Sequence, residues 1–426
     1  PTRGGATVFQ RTFRENIPMG RKRLNKNLVV VLALSAFAMM VLLSVLMLTQ
    51  LQKRDPKYFV ALAERSTEQQ QWQQATLFYN EAWERSGEPS YLVQVGEMLL
   101  RDGEVLKALM CWRQALVRQP DLIEAHERHL TLLLQLARLY GTPQRWEQLR
   151  DAAEAMLRVE SGKTAAQEAF AHHANGLALL NLESREAGNT DLGVGELQEA
   201  STLAPDVVEY SIDLAAQFAR QEKFDEAERV FRELLDQNAS PGADASKVRL
   251  AFAQYLAGRQ RLDEAAGYFG ESLKLAEGDV PALREAQMGY ALFLAQRWAR
   301  AMREGQPRPL GSGVDNDGVF GLSERPGAQA LFDEAEGILK QCTDADPEAF
   351  DAYLQMAVLY KSAARHADTV EVCDRRIRRG LSRTGAEATR NKLSMFSLMI
   401  YASEACVALG VATEDATARE KWLARA

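Results

Sequence analysis

GEMLLRDGEVLKALMCWRQALVRQP, residues Gly96 to Pro120, sets its small and bulky side chains at Gly96, Ala108, Trp112, Ala115 and Pro120. The gaps of twelve, four, three and five residues describe a pair of helices rather than one long helix or a strand. Ala108, Trp112 and Ala115 share one helical face, because residues three and four apart are neighbours on a helix. Gly96 and Ala108 let the two helices of the unit approach closely. Trp112 is expected to plug the gap to the next unit, and Pro120 to end the second helix.

The pattern recurs along the chain. A first unit shows Ala63, Ala75, Tyr79 and Ala82. A third is looser, with helices expected from about Asp121 to Leu139 and from Pro143 to Val159. The fourth has Gly193, Leu197, Ala200 and Pro205, its turn lengthened by Gly188 to Asp191. The fifth has Leu214, Ala215, Phe218, Ala227 and Phe231, and the sixth Ala253, Leu256, Ala265 and Phe269. The seventh closes with Ala335, Leu339, Cys342 and Pro347, and the eighth has Met356, Ala357, Tyr360, Thr369 and Cys373. An amphipathic stretch from Thr384 to Leu409 and a short helix near Glu414 to Arg425 end the chain, the last expected to cap the stack. No segment alternates apolar and polar residues long enough to demand a sheet.

This spacing resembles the tetratricopeptide repeat (TPR), a unit of about 34 residues folded as two antiparallel helices. The expectation is an all-α, TPR-like α-solenoid of about nine helix pairs over residues 57–426, preceded by one N-terminal transmembrane helix. Each pair buries its two apolar faces only against its neighbours, so the array curves and offers an extended concave surface to peptides, helices or whole subunits. The resemblance implies a protein–protein adaptor. One TPR subclass grips a C-terminal carboxylate with Lys and Asn on its first helices, and the corresponding helix here, Ser211 to Ala215, lacks that pattern.

At 426 residues the chain exceeds an ordinary domain, which a repeat stack does without a break. The hydrophobic fraction of 46% and charged fraction of 26% exclude wholesale disorder. The net charge of −7 divides unevenly: residues 1–57 carry about +8 and the remainder about −15. An acidic body argues against nucleic acid as its ligand, since phosphate binding needs a concentrated Lys/Arg surface.

Leu28 to Leu48 is uncharged, with Ser35 and Ser44 its polar interruptions. As a helix it reaches about 32 Å, enough for a hydrocarbon core of about 30 Å. It is too long for a cleaved signal peptide, Met47 to Leu51 offers no small-residue cleavage site, and no Cys follows it for lipid attachment. Residues 28–48 are therefore expected to be a retained signal-anchor contacting the lipid bilayer. Arg3, Arg11, Arg14, Arg21, Lys22, Arg23 and Lys26 precede it, against Lys53, Arg54 and Lys57 behind. The positive-inside rule puts the basic tail 1–27 in the cytoplasm and the body across the membrane; the resemblance to envelope TPR proteins implies the bacterial inner membrane and periplasm. Phe9, Phe13 and Ile17 recur every four residues in that tail, as in a short surface helix, although a floppy basic tail reads equally well.

Two features interrupt the repetition or invite chemistry. Residues 304–326, EGQPRPLGSGVDNDGVFGLSERP, are too rich in Gly and Pro for a helix and form an insertion loop. Asp315, Asp317, Gly318 and Glu324 occupy the third, fifth, sixth and twelfth places of an EF-hand-like calcium loop, but Gly313 stands where the first acidic ligand belongs. The loop reads instead as solvated or partner-binding, and Gly311 to Gly313 carries no Lys for a phosphate cradle. His126 with His129, and His172 with His173, would need adjacent helices to share a metal, and ordinary packing histidines are expected. Cys111, Cys342, Cys373 and Cys406 show no CxxC spacing; Cys342 and Cys373 read as buried thiols, with a disulfide between them as the alternative in an oxidising compartment. Trp72, Trp112, Phe231 and Phe269 keep repeat phase and read as core. Arg375 to Arg379 is expected to face solvent beside a helix C-terminus, with a grip on an acidic partner as the sharper reading.

No catalytic, cofactor-binding or metal-binding set emerges, so the chain reads as a non-enzyme. The expected function is a membrane-anchored interaction scaffold or assembly factor whose partners are proteins of a membrane or envelope complex. It resembles bitopic bacterial envelope TPR proteins, which attend secretion, pilus or envelope machinery. The alternatives are a permanent accessory subunit of a larger membrane complex, and a ligand receptor acting through residues 304–326.

Overall fold

The computed structural model describes residues 34, 35, 37–42, 55–182, 189–304, 326–380 and 387–426. Between Pro56 and Arg425 the described residues form helices and turns with no strand. The helices pair in chain order. The first two pairs are α1 (Pro56–Glu68) with α2 (Trp72–Ser86), and α3 (Pro89–Arg101) with α4 (Val105–Arg118). The next three are α5 (Ile123–Tyr140) with α6 (Pro143–Leu157), α7 (Ala165–Asn181) with α8 (Asn189–Leu203), and α9 (Val208–Arg220) with α10 (Phe224–Gln237). Then come α11 (Ala243–Gly258) with α12 (Leu262–Leu275), α13 (Val280–Glu304) with α14 (Pro326–Ala345), and α15 (Phe350–Ser362) with α16 (His366–Ile377). The chain closes on α17 (Glu387–Ala412) with α18 (Ala416–Arg425). The expected all-α array of helix pairs is therefore present.

The repeat residues form its core. Ala63, Ala75, Ala82, Ala108, Ala115, Ala200, Ala227 and Ala265 are fully buried, and Trp112, Phe231 and Phe269 nearly so. Pro120, Pro205 and Pro347 each stand one or two residues beyond the end of a second helix, α4, α8 or α14, where a ring without an N–H cannot continue it. Trp112 departs from expectation. Its ring lies over Gly96 of its own unit, and its Nε1–H donates to the Val93 carbonyl of α3 at 3.0 Å. The next unit packs beside this plug through Ala125, Leu132 and Leu136.

Five of the turns within pairs share one construction. The residue after the turn donates its N–H to a carbonyl five positions back: Gln71 to Ser66, Glu104 to Leu99, Lys223 to Phe218, Arg261 to Leu256 and Arg365 to Tyr360, at 2.8–2.9 Å. This wide bond closes a Schellman-type cap and needs a left-handed residue just before it. Gly103 supplies that conformation in α3–α4, but Gln70, Glu222, Gln260 and Ala364 adopt it without being glycine.

First and second helices pack differently between units. Across units, first helices touch first helices: α3 on α5, α5 on α7, α9 on α11, α11 on α13, α13 on α15 and α15 on α17. Among the described residues, no second helix packs more than marginally on the next second helix. Units that converge on one side and splay on the other make the first helices the inner side of the curve and the second helices its outer side.

The expected 28–48 span lies mostly outside the described residues; residues 34, 35 and 37–42 are helical and exposed. One described helix is long and apolar enough to cross a membrane, the Ser394–Ala412 part of α17. Its Leu398, Ala405 and Cys406 are buried, Leu398 in the core shared with α15 and Cys406 against Val370 of α16. α18 lies along α17, with Leu423 over Gly410 and Arg425 paired to Asp374, and buries none of its own residues.

Candidate functional site

α4 is apolar on more than its core face. Leu106, Met110 and Val117 are 64%, 64% and 75% exposed, and spacings of four and seven put them on one stripe. Arg113 lies between them in sequence. Across from this stripe, α6 presents Arg145, Gln148, Asp151, Ala152 and Ala155. The floor between comes from α5, through His126, His129 and Leu133. Together they enclose an open groove of about 1060 Å³. It falls between second helices, on the outer side of the array rather than the concave side expected from the repeat.

The groove follows from how the third unit breaks the pattern. In α4 the core triplet is small, bulky, small: Ala108, Trp112, Ala115. In α6 the buried residues at the same spacing are Leu149, Ala153 and Met156, which is bulky, small, bulky. The α6 residues facing α4 include Ala152 and Ala155, whose methyls are too short to close the gap.

The floor histidines are neutral at pH 7. His126 Nε2 donates to the Pro120 carbonyl at 2.8 Å, and burial lowers its pKa, with Lys163 adding to the effect. Burial, then the charges of His126 and Arg113, lower His129 to about 4. Most charges on the rim are already engaged. Arg158 pairs with Glu154 at 2.7 Å, Asp151 lies 3.7 Å from Arg150, and Arg145 bonds Gln148 at 2.9 Å. Among the described residues, Arg113, Asp121 and Glu160 have no ion-pair partner.

The other candidates scatter. His172 Nδ1 donates to Glu196 at 2.6 Å, a bond that raises its pKa. His173 Nε2 donates to Asp213 at 2.8 Å, and its ring lies 4.5 Å from that of Tyr210. The two histidine pairs thus serve different partners, and among the described residues no group of three or more His, Cys, Asp or Glu is placed to hold a metal. The four cysteines are free thiols. Cys342 donates to Gln287, whereas Cys373 sits in a separate core, so the Cys342–Cys373 alternative is not formed. The Arg375–Arg379 run is not simply solvated: Arg376 is fully buried, stacked 3.5 Å over Phe350 and bonded to the Gly380 carbonyl and Glu348. Arg375 and Arg378 pair with Glu371 and Asp374, and Arg379 donates to the Pro347 carbonyl. Trp72 is half-buried under Arg101. The calcium-like places Asp315, Asp317, Gly318 and Glu324, and Gly311 to Gly313, lie outside the described residues.

No protein-family model matches the chain. No curated protein matches it either. Solved structures similar to it include a tetratricopeptide repeat protein from Parabacteroides merdae ATCC 43184, at 11% identity and a TM-score of 0.45, covering 81% of this chain and 98% of that one. Yeast Tom70 is similar at 13% identity and 0.38, covering 84% and 97%. Pseudomonas aeruginosa pilF is similar at 13% identity and 0.38, covering 55% and 96%.

Proposed function

We propose that this chain is a membrane-anchored interaction scaffold or assembly factor that binds a protein partner and catalyses no reaction. The observation that carries the reading is the α4 stripe. Leu106, Met110 and Val117 stand in solvent above a preformed groove, the arrangement by which an apolar surface is kept open for another polypeptide. The uncharged Leu28–Leu48 stretch and the basic residues before it support an anchor with the body outside the cytoplasm. In that setting the partner belongs to a membrane or envelope complex.

A photo-crosslinking residue at Met110, in cells, tests the reading. The expected result is one recurrent protein adduct from Met110 and none from the distant exposed Arg232. Equal adducts from both positions, or none from either, overturn it. Protease protection tests the orientation: digestion of residues 57–426 only after the outer side is opened agrees with it, and digestion from the cytoplasmic side alone refutes it.

A second reading, a permanent accessory subunit, has its own observation. α17 exposes Phe396, Met399, Ile400, Val407 and Val411 along one apolar stripe of the kind obligate interfaces cover. It predicts co-purification in fixed stoichiometry through repeated detergent washing, whereas an assembly factor is lost.

A further inference from the structure

We infer that the α4–α6 groove is shaped and charged for one amphipathic helix, which presents apolar side chains to Leu106, Met110 and Val117, a carboxylate to Arg113, and a cation to Asp121 and Glu160. This rests on the scaffold reading and specifies its partner. From Leu106 to Val117 the stripe covers twelve residues of α4, about 16 Å or three helical turns. A helix of similar length laid along it meets apolar residues at spacings of three and four.

Charge complementarity separates this occupant from others. Arg113 is exposed within the apolar wall, with no carboxylate partner among the described residues, and neutral histidines lie beneath it. A carboxylate brought there gains a charge-assisted bond without breaking an existing pair. The unpaired acidic groups are at the other end. Asp121 follows α4, whose end adds partial negative charge, and Glu160 follows α6, whose last carbonyls of Met156 and Leu157 already accept from Lys163. Arg113 lies within α4 and Asp121 three residues past its end at Arg118, so the matching acid and base belong at different places along the occupant, set about two turns apart in the test. The chain's own Phe9–Ile17 segment carries Arg11, Arg14 and Glu15 between its apolar residues; its one acid stands one and four residues from its bases rather than two turns away, which argues against a second copy's tail.

The test uses full-length protein in lipid nanodiscs and two designed helical peptides of about 16 residues, long enough to cover three turns. Both carry the same leucine stripe. One has Glu and Lys two turns apart as specified, and the other has the two exchanged, so composition and net charge are identical. Fluorescence anisotropy should show the specified peptide binding at least about tenfold more tightly. R113Q should weaken the preference, because Asp121 and Glu160 still select the cation, and R113E should remove it, because each peptide then meets one like and one unlike charge. Equal affinity of the two peptides for the wild type, or a preference that R113E leaves unchanged, overturns the inference. So does tighter binding of a peptide spanning residues 6–20 of this chain. A native adduct at Met110 that persists in R113E would leave the scaffold reading intact and remove the proposed chemistry. Correct peptide selection with no native adduct would do the reverse.

Discussion

Gly96→Ala tests whether the helix pairs are packed as tightly as their spacing implies. A Cβ at residue 96 would lie 2.3 Å from Trp112 Nε1 and 2.8 Å from two further ring atoms. The backbone of α3 cannot retreat without disturbing its contact with α5, so the indole must move. Movement takes its N–H away from the Val93 carbonyl, and Trp112 is only 1% exposed, so water does not replace that acceptor. Overpacking costs about 1–3 kcal/mol, and a stranded buried donor about 1–3 kcal/mol. Replacing glycine by alanine inside a helix returns about 1 kcal/mol. The net is a destabilisation of about 1–5 kcal/mol. Gly195→Ala provides the control, because a Cβ there meets nothing within 4 Å; only the propensity gain remains, and the protein should be stabilised by about 1 kcal/mol. Hydrogen exchange reads local opening in α3–α4 and in α8 separately, which matters in an array whose units need not unfold together. If Gly96→Ala slows exchange in α3–α4 as Gly195→Ala does in α8, the tight pairing argued from Gly96 and Trp112 is wrong.

Ala364→Gly should stabilise the α15–α16 turn by about 1 kcal/mol, because Ala364 holds φ at 55°, a region that L side chains occupy at a cost; urea unfolding should show a higher midpoint, and an unchanged or lower one contradicts the turn geometry. His129 has a folded pKa of about 4, below its ordinary value of about 6.5. The unfolded chain therefore binds more protons, and stability falls as pH drops from about 6.5 towards 4, by at most about 3 kcal/mol. His129→Gln should flatten that part of the acid limb, judged by the difference between variant and wild-type urea midpoints at pH 7 and pH 4.5. Burial pushes the Cys342 thiol to about 11 and the Cys373 thiol to about 12. Iodoacetamide at pH 8 should leave both unmodified until the protein is denatured, and mass spectrometry showing rapid native labelling of either would contradict their burial.

The phase of the helices was legible because the repeat concentrates its information in a few positions. Small residues such as Ala75, Ala108, Ala227 and Ala265 recur where two backbones approach, and nothing larger fits there. The intra-pair turns were not legible in the same way. Four of the five matching turns place Gln70, Glu222, Gln260 or Ala364 in the left-handed region, and no residue type announces that. Tertiary packing of the flanking helices imposes it and outweighs local preference. Arg376 misled for a similar reason. Inside a run of arginines it reads as solvated, but the Phe350 face, the Gly380 carbonyl and Glu348 together make a buried place for it.

The groove was partly readable in α4, which carries apolar residues around most of its circumference. Such a helix is ordinarily buried on all sides, yet in this array a second helix has its own partner and one neighbouring first helix to cover it. Leu106, Met110 and Val117 are surplus to that need, and this excess could have been noticed from residues 105–118 alone. What could not be noticed is that α6 fails to cover them. That depends on the exchange of bulk between Ala108, Trp112, Ala115 and Leu149, Ala153, Met156, and on Ala152 and Ala155 turning towards α4 rather than away. A regular repeat closes each interface in the same manner and leaves every interval alike. The departure at the third unit opens the α4–α6 interval, and it coincides with the unpaired Arg113. If the groove holds the proposed helix, selectivity for it arises where small–bulky–small packing gives way to bulky–small–bulky.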